Sequence, residues 1–255
     1  MTGMLYLVPN ALDFGTADAQ SAPADLQEVL PLGVLRIAAR LSCWVAENAK
    51  TTRAFLKRVD AVVPLAQPLQ SLQIVELPRP QKGAKVQAPA GLDALLAPAL
   101  QGLDIGLISE AGLPAVADPG AALVQAAHGL GIPVVALPGP SSLLLALSAS
   151  GLNGQSFAFV GYLPVEAAER TSRIRDLEAL SRRQGQTQLV IETPYRNEAL
   201  LAALLATLSP QTRLSVSCGL TLPQGWSRTD TVARWKAAPR SVPKDVPAVF
   251  SLLAS

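Results

Sequence analysis

Two loops rich in Gly, Pro and Ser carry residue types that can hold a polar ligand with backbone groups. The first is SEAGLPAVADPG, 109 to 120, in which Gly112 frees the backbone and Pro114 stiffens it. Asp118-Pro119-Gly120 predicts a helix start, because Asp caps free N–H groups and Pro suits the first helical position. A helix N-terminus turned toward the loop adds backbone donors, so this loop is typical of a ligand-binding site.

The second loop is PGPSS, which places Ser141 and Ser142 at the start of another predicted helix. Each loop alone is as typical of an ordinary turn as of a binding site, because Gly, Pro and Ser are common turn residues. Both loops follow short apolar runs, DIGLIS at 104 to 109 and IPVVALP at 132 to 138. Ligands of open parallel sheets bind at the carboxyl ends of strands, so we expect both loops at a ligand-binding edge.

Short apolar runs alternate with longer Ala- and Leu-rich segments through the first half of the chain. LYLV at 5 to 8, SCWVA at 42 to 46 and LQIVEL at 72 to 77 predict three more buried parallel strands. The intervening helices are predicted over 24 to 41, 49 to 59, 91 to 101 and 119 to 129. This alternation predicts a doubly wound parallel α/β sheet. The stretch 80 to 91 is predicted to be a mobile surface loop.

The pattern changes after the predicted helix SSLLLALSASGL, and GLNGQ at 151 to 155 predicts a hinge. We therefore divide the chain into an N-terminal domain, 1 to 152, and a C-terminal domain, 153 to 255. In the second domain FAFVGYL, TQLVIET, RLSVSCGL, TDTVARW and PAVFSLLA predict strands, and helices are predicted near 166 to 183 and 197 to 208. Strands and helices in this order predict a mixed-sheet α+β domain.

Composition excludes several classes of protein. Of 255 residues, 49% are hydrophobic and 16% charged, which predicts a folded core rather than disorder. The net charge of +2 is far below that of a dedicated nucleic-acid coat. The two cysteines show no metal-site spacing and no run is apolar enough to cross a membrane, so we expect a cytoplasmic protein with neither metal nor membrane association. The dinucleotide-binding and Walker A motifs are both missing from the sequence.

The run from Ser109 to Pro164 resembles the signature of the tetrapyrrole methylase superfamily of S-adenosylmethionine (SAM)-dependent methyltransferases. It is most similar to the ribosomal RNA small subunit methyltransferase I branch, which carries S-D-A-G-x-P-x-x-x-D-P-G, a P-G-P turn and G-[FY]-L-P. The matching residues are Ser109, Ala111, Gly112, Pro114, Asp118, Pro119, Gly120, Pro138, Gly139, Pro140, Gly161, Leu163 and Pro164. Similarity continues through VIETPYR, 190 to 196, and SCGLTLP, 217 to 223.

The resemblance implies the fold, the cofactor and the partners. SAM is expected in a cleft between the parallel-sheet domain and the mixed-sheet domain of a homodimer that methylates ribosomal RNA, or the small ribosomal subunit, at a ribose 2′-hydroxyl. The cofactor-binding residues that it implies are Pro9, Ser109, Glu110, Ala111, Gly112, Leu113, Ser141, Ser142, Leu220, Pro247 and Ala248.

Two segments depart from the branch, which makes the chain a divergent subfamily. VPNALDFGTADA, 8 to 19, stands where the branch has T-P-I-G-N-L-x-D and matches at Pro9, and ENAKTT, 47 to 52, stands where the branch has E-D-T-R-x-T. A C-terminal extension common in the branch is also missing from this sequence.

The chemistry of the acceptor adds three more candidate residues. Transfer to a hydroxyl requires a group that takes its proton, and Glu47, Lys50 and Glu192 are the predicted catalytic residues. Two alternatives stay open, a methylase of a small molecule such as a tetrapyrrole and a SAM-binding protein that has lost catalysis.

Overall fold

The five apolar runs of the first half all form strands of one parallel sheet, as predicted. They are β1 (Leu5–Leu7), β2 (Cys43–Ala46), β3 (Gln73–Glu76), β4 (Ile105–Ile108) and β5 (Val134–Ala136). The computed structural model describes residues 2–13, 25–78 and 91–255, so the predicted loop at 80 to 91 lies almost wholly outside the described residues. Within the described part, the chain forms two compact units that meet at Pro140 and Ser141.

The strand order β3-β2-β4-β1-β5 determines which loops of the first unit are neighbours. Strand β4 lies between β2 and β1, with Gly106 in register with both Trp44 and Tyr6. All these pairs are parallel, so the loops that follow β1, β2 and β4 leave the same edge of the sheet. This is the edge at which open α/β sheets bind ligands.

Helices cover both faces of this sheet, which confirms the doubly wound prediction. They are α1 (Leu32–Arg40), α2 (Ala49–Asp60), α3 (Leu92–Leu100) and α4 (Ala121–Gly129). Leu35 of α1 and Phe55 of α2 pack against one face of the sheet. Leu96 of α3 and Leu123 of α4 pack against the other. Successive strand residues point to opposite faces, so a strand buried on both sides lacks polar side chains, as β2 and β4 do, whereas the edge strand β3 carries Gln73 and Glu76 and is mostly exposed.

The prediction of one helix over 24 to 41 was wrong. Residues Leu26–Glu28 form a short 3-10 helix, and α1 begins only at Leu32. Pro31 stands before the first turn of α1, where its ring and missing N–H do no harm, but in the middle of a longer helix it would remove a backbone hydrogen bond. Residue 24 lies outside the described part of the chain.

The second unit contains a mixed five-stranded sheet, as predicted. Its strands are β6 (Phe157–Tyr162), β7 (Thr187–Ile191), β8 (Arg213–Cys218), β9 (Trp226–Thr231) and β10 (Ala248–Leu253). Their order is β6-β7-β10-β8-β9, and the β6–β7 pair is parallel while the other three are antiparallel. The run TDTVARW was predicted to be a strand, but it divides after Thr231, whose side chain caps the next helix by accepting from Arg234 N.

Helices α5 (Ser142–Ser150), α6 (Ala167–Gln184), α7 (Asn197–Thr207) and α8 (Val232–Ala237) belong to the second unit. Leu177 of α6 and Leu204 of α7 pack on the face of the sheet that carries Phe250, while Leu143 of α5 packs on the opposite face with Val249. The units therefore divide before α5, earlier than the boundary at 152/153 placed from the sequence. Among the described residues, no helix combines the length and the apolar character needed to cross a membrane.

Candidate functional site

The loop after β4 is joined to the loop after β1 by a two-way backbone pair. The amide of Asn10 donates to Gly112 O over 2.9 Å, and the amide of Gly112 donates to Asn10 O over 3.1 Å. Gly112 has φ +68°, a left-handed conformation that glycine adopts without a steric cost. The loop is further folded on itself, because Ser109 Oγ donates to Ala111 O over 3.0 Å. Ser109 and Gly112, both predicted site residues, are thus fixed beside the first strand.

The side chain of Asn10 holds the same two loops together and was missed by the sequence reasoning. Its Nδ2 donates to Glu110 O over 2.9 Å and to Ser109 O over 3.3 Å, while its Oδ1 accepts from Ala11 N over 2.9 Å. Only 6% of the residue is exposed. The available signal was its position directly after Pro9, the one match in an otherwise divergent segment, but its partners lie about 100 residues away in sequence.

Glu47 joins the loop after β2 to the same cluster. Its Oε2 accepts from Glu110 N over 3.0 Å, so the carboxylate of the predicted catalytic residue fixes the backbone of a predicted cofactor-binding residue. Helix α2 is capped by Asn48, whose Oδ1 accepts from Lys50 N over 2.9 Å and from Thr51 N over 3.4 Å. An Asn caps as an Asp does, so this departure from the branch leaves the helix start intact.

Asp118 lies in this acidic environment rather than at the helix start predicted for it. The N-cap residue of α4 is Gly120, so the first turn of this helix has no side-chain cap from Asp118. Burial, together with the negative charges of Glu47 and Glu110, raises the pKa of Asp118 to about 6 against the opposing effect of a hydrogen bond with the Ser109 hydroxyl. Each of these effects except the hydrogen bond disfavours the ionised carboxylate. The pKa of Asp118 therefore lies well above the usual range of an aspartate.

The P-G-P turn after β5 approaches the first-strand loop very closely at Gly139. A Cβ added to Gly139 would lie 2.2 Å from Pro9 Cβ, so only glycine fits there. A Cβ added to Gly112 would lie 3.6 Å from Pro140 O, which places the turn beside the loop after β4 as well. The loops after β1, β2, β4 and β5 thus converge at one edge of the first unit.

The first unit therefore brings together most of its predicted site residues, with Lys50 at their margin. Pro9, Glu47 and the five residues 109 to 113 share the network of contacts described above. Lys50 belongs to the first turn of α2 and its side chain is exposed. Ala115 and Ala117, farther along the same loop, have φ +66° and +64°, which costs about 1 kcal/mol or more for each L-residue.

Backbone donors remain available within this loop. In the described part of the chain, the amides of Ala111 and Leu113 donate to no protein atom, whereas those of Glu110 and Gly112 are paired. Ala111 is buried, with 8% exposed, and a buried amide without an acceptor costs about 1 to 3 kcal/mol. A ligand that presents hydrogen-bond acceptors to these amides would remove that cost.

Six predicted site residues lie in the second unit, and four of them lie at or beside the start or end of a strand. Leu220 follows β8 and packs with Leu143, Leu147 and Val249. Ala248 begins β10 in register with Cys218, and Pro247 O accepts from Gly219 N over 2.9 Å. Glu192 follows β7, and the other two residues, Ser141 and Ser142, begin α5. Ser141 caps this helix without a side-chain hydrogen bond.

Glu192 has one carboxylate oxygen fully engaged with its neighbours. Arg196 Nη2 and Nε donate to Glu192 Oε1 over 2.7 and 3.1 Å, and Thr193 N and Oγ1 donate to the same atom over 2.8 and 3.2 Å. The side chain of Glu192 is 3% exposed. Four donors on one oxygen hold the carboxylate in a single orientation and leave its Oε2 as the atom that can face a ligand.

No grouping of three His, Cys, Asp or Glu side chains suited to a metal occurs in residues 2–13, 25–78 and 91–255.

A sequence model of the family Tetrapyrrole (Corrin/Porphyrin) Methylases matches residues 47–233. The chain belongs to the tetrapyrrole methylase family. This assignment agrees with the motifs from Ser109 to Pro164, most of which lie in the strand-end loops described above.

Individual relatives agree with the family. The Ribosomal RNA small subunit methyltransferase I of Mesorhizobium japonicum is 38% identical over 138 residues, 54% of this chain and 46% of the relative. That of Streptococcus pyogenes serotype M1 is 31% identical over 205 residues, 80% of this chain and 61% of the relative. The matched regions thus span less than two thirds of these relatives.

Solved tetrapyrrole methylases share the fold of the chain. The uroporphyrin-III-C-methyltransferase of Thermus thermophilus aligns with a TM-score of 0.52 and 22% identity, covering 99% of this chain and 93% of that one. The methyltransferase CobJ aligns with a TM-score of 0.55 and 16% identity, covering 100% and 95%. The parallel-sheet unit followed by the mixed-sheet unit is therefore the tetrapyrrole methylase fold.

Proposed function

We propose that this tetrapyrrole methylase is a SAM-dependent methyltransferase that acts on ribosomal RNA of the small subunit, at a ribose 2′-hydroxyl. The observation that carries the proposal is the convergence of four strand-end loops in the first unit, with the family motif 109 to 120 fixed by Asn10 and Glu47. The acceptor is proposed from relatives 31–44% identical that bear the name Ribosomal RNA small subunit methyltransferase I.

The loop after β4 suits the chemistry of SAM. SAM carries a carboxylate, ribose hydroxyls and adenine nitrogens, all of which accept hydrogen bonds, and the amides of Ala111 and Leu113 are donors without a protein acceptor in the described residues. Pro9 and residues 109 to 113 are the proposed cofactor contacts of the first unit. Those proposed in the second unit are Ser141, Ser142, Leu220, Pro247 and Ala248.

Bound SAM supplies a methyl group on a sulfonium, which is a good leaving group. The protein then contributes alignment of the acceptor and removal of its proton. Glu47, Lys50 and Glu192 are the side chains proposed for the proton. Glu47 and Glu192 each use one oxygen to bind neighbouring protein groups and keep the other for the acceptor, so both are oriented before the substrate arrives. Lys50 is exposed and suits contact with a phosphate.

Asp118 joins these candidates because of its surroundings. A base whose pKa is close to the working pH is both deprotonated and basic enough to take a proton, and the pKa of Asp118 is raised to about 6. Its neighbours Glu47 and Glu110 belong to the proposed site, so the proton can be shared within one cluster of carboxylates.

The assembly and the compartment complete the proposal. We expect a homodimer in the cytoplasm, where ribosomal RNA is available, as the resemblance to the family suggests. Sedimentation at two protein concentrations should give the mass of a dimer, and a monomer at both would remove this part of the proposal.

Methyl transfer to RNA from a strain that lacks the corresponding methylase tests the function. The protein is incubated with SAM labelled in its methyl group and with either the isolated small subunit or its naked RNA, and the labelled nucleotide is mapped. Label resistant to alkaline cleavage at a single ribose supports the proposal. Heat of SAM binding without transfer to RNA would indicate a protein that has lost catalysis, and label on an added tetrapyrrole instead would indicate the small-molecule alternative. Absence of SAM binding would overturn the proposal altogether.

A further inference from the structure

Helix α6 of the second unit presents an exposed row of arginines that the proposed methyl transfer does not use. Positions spaced by three or four residues along this helix form one exposed stripe, and Arg183 lies beside its last member. We call this set the arginine stripe; its members are Ala168, Ser172, Arg175, Ala179, Arg182 and Arg183. The buried positions of the helix, Ile174, Leu177, Glu178 and Ser181, form a separate row that faces the sheet.

Within the described residues, the charge of the arginine stripe is not compensated by ion pairs with acidic side chains. Glu178 lies three residues after Arg175 and four before Arg182, whereas Asp176, next to Arg175 in sequence, lies on the flank of Arg173. Glu178 is buried, with 8% of the residue exposed. Its carboxylate accepts hydrogen bonds from Ser209 N over 2.8 Å, from Ser209 Oγ over 3.1 Å and from Thr212 Oγ1. Among the described residues, none of the three stripe arginines forms an ion pair with an acidic side chain, and Arg182 Nε donates to Ser255 O over 2.9 Å.

The other exposed flank of the same helix provides a contrast. Arg173 stands four residues after Glu169 and three before Asp176, and both acids are exposed. Side chains three and four apart on a helix are neighbours, so Arg173 has two exposed acids beside it, whereas the acid at this spacing from Arg175 and Arg182 is the buried Glu178, whose carboxylate is bonded to Ser209. The charge of α6 is therefore concentrated on one side, although the net charge of the whole chain is only +2.

The spacing and shape of the stripe suit the backbone of a nucleic acid. Arg175 and Arg182 are two helical turns apart, about 10 Å along the axis, so they can reach separate phosphates of one strand. Ala179, between Arg175 and Arg182, has a short side chain, as does Ser172 one turn before Arg175, so a nucleic-acid backbone has room to lie along the helix. Guanidinium groups bind phosphate oxygens with two parallel N–H donors.

We propose that the arginine stripe of α6 binds phosphates of the ribosomal RNA substrate and so contributes affinity without reading sequence. This inference rests on the proposed function, which supplies the RNA. Phosphate contacts position a protein on its nucleic acid, whereas contacts to bases specify the site. The stripe thus serves acceptor binding, a role separate from that of the SAM-contacting loops.

The double variant R175Q/R183Q tests this inference. It leaves Arg182 unchanged, because Arg182 Nε donates to Ser255 O over 2.9 Å, and its replacement would remove this bond within the protein as well as a charge. The matched control is R173Q/R234Q, which removes the same formal charge from the same unit. Arg173 has acidic neighbours, and Arg234, with 79% of its side chain exposed, lies 3.8 Å from Asp230 Oδ1.

Binding to unmodified small-subunit RNA is measured over a range of salt concentrations. Loss of two phosphate contacts should reduce the slope of log affinity against log salt by about 1.4 to 1.8. A fourfold rise in salt should then bring the affinities of wild type and R175Q/R183Q together by about sevenfold or more. The control should keep the wild-type slope, and all three proteins should bind SAM equally and unfold at the same temperature.

Each outcome decides between distinct conclusions. A slope for R175Q/R183Q equal to that of the wild type, or an equal reduction in R173Q/R234Q, overturns the stripe while the proposed function stands. Failure of the wild type to bind or methylate the RNA overturns both. A reduced slope confined to R175Q/R183Q, with SAM binding retained, supports the stripe.

Discussion

Replacing Asn10 by alanine removes three side-chain hydrogen bonds at the junction of the first-strand loop and the loop after β4. The bonds to Glu110 O, Ser109 O and Ala11 N measure 2.9, 3.3 and 2.9 Å. The paired backbone of Asn10 and Gly112 remains, so the loops stay adjacent but lose the side chain that fixes their orientation. We expect the proposed SAM site to loosen while the fold persists.

The magnitude follows from the number and quality of these bonds. A hydrogen bond contributes about 0.5 to 1.5 kcal/mol net, and a buried acceptor left without a donor costs about 1 to 3 kcal/mol. The 3.3 Å bond is the weakest, and the carbonyl of Glu110 is partly accessible to water, so we expect a loss of about 2 kcal/mol in the free energy of unfolding. If this ordering energy must be supplied on binding, the Kd for SAM rises about tenfold or more.

Asn153→Ala is the matched control for Asn10→Ala. Asn153 also makes three side-chain hydrogen bonds, to Gly185 O over 2.6 Å, from Gln155 N over 3.0 Å and from Ser156 N over 3.3 Å. It is not among the proposed site residues, so its replacement should lower stability by a similar amount and leave SAM affinity unchanged. Urea unfolding gives the stabilities, and titration calorimetry gives the Kd for SAM.

The comparison separates a role at the site from a role in the fold. If both variants lose stability and both keep the wild-type Kd for SAM, the loop 109 to 113 is a structural turn and its assignment as the donor site is refuted. If Asn153→Ala weakens SAM binding as much as Asn10→Ala, the effect reflects general loosening and the reasoning fails as well.

Three further substitutions test the site. Gly139→Ala should lower stability by about 2 kcal/mol and weaken SAM binding, because the new Cβ lies 2.2 Å from Pro9 Cβ, as urea unfolding and calorimetry would show. Above pH 6, the free energy of unfolding of Asp118→Asn should exceed that of the wild type by about 1 kcal/mol. The reason is that the wild type loses stability as the pH rises from about 4 to 6 and the Asp118 carboxyl ionises, whereas Asn stays neutral. Glu192→Gln should reduce the rate of methyl transfer about a hundredfold while the Kd for SAM stays near the wild-type value, measured by single-turnover transfer and by calorimetry.

Each of these has a control or an opposing result. Gly33→Ala, in α1 with nothing within 4 Å of the added Cβ, should be stabilising by about 0.5 to 1 kcal/mol, in contrast to Gly139→Ala. An equal difference between Asp118→Asn and the wild type at pH 4 and pH 7 would contradict the raised pKa of Asp118. Parallel loss of transfer rate and SAM affinity in Glu192→Gln would place this residue in cofactor binding instead.

Local pattern in the sequence was sufficient for most of the elements. A short run such as CWVA, apolar at every position, predicts a strand buried on both faces, and β2 and β4 follow this rule. The run LQIVEL also predicted a strand, but β3 is an edge strand with Gln73 and Glu76 exposed. The rule failed where one run contained two structures, as in TDTVARW, because a helix of six residues is too short to show its own period. The single helix predicted over 24 to 41 was wrong for another reason, because the helical spacing of apolar residues was given more weight than the break at Pro31.

The sequence by itself determined the order of strands and helices, the family and the two strand-end motifs, because these depend on residues close together in the chain. Only the tertiary structure decided how Asn10, Glu47 and Asp118 act, because their partners lie on other loops. Strand β4 enters between β1 and β2, and this placement brings Asn10 and Glu47 to the backbone of residues 109 and 110. It also surrounds Asp118 with the charges that raise its pKa. Chemistry at this edge therefore arises from strand order, a long-range property that local spacing does not encode.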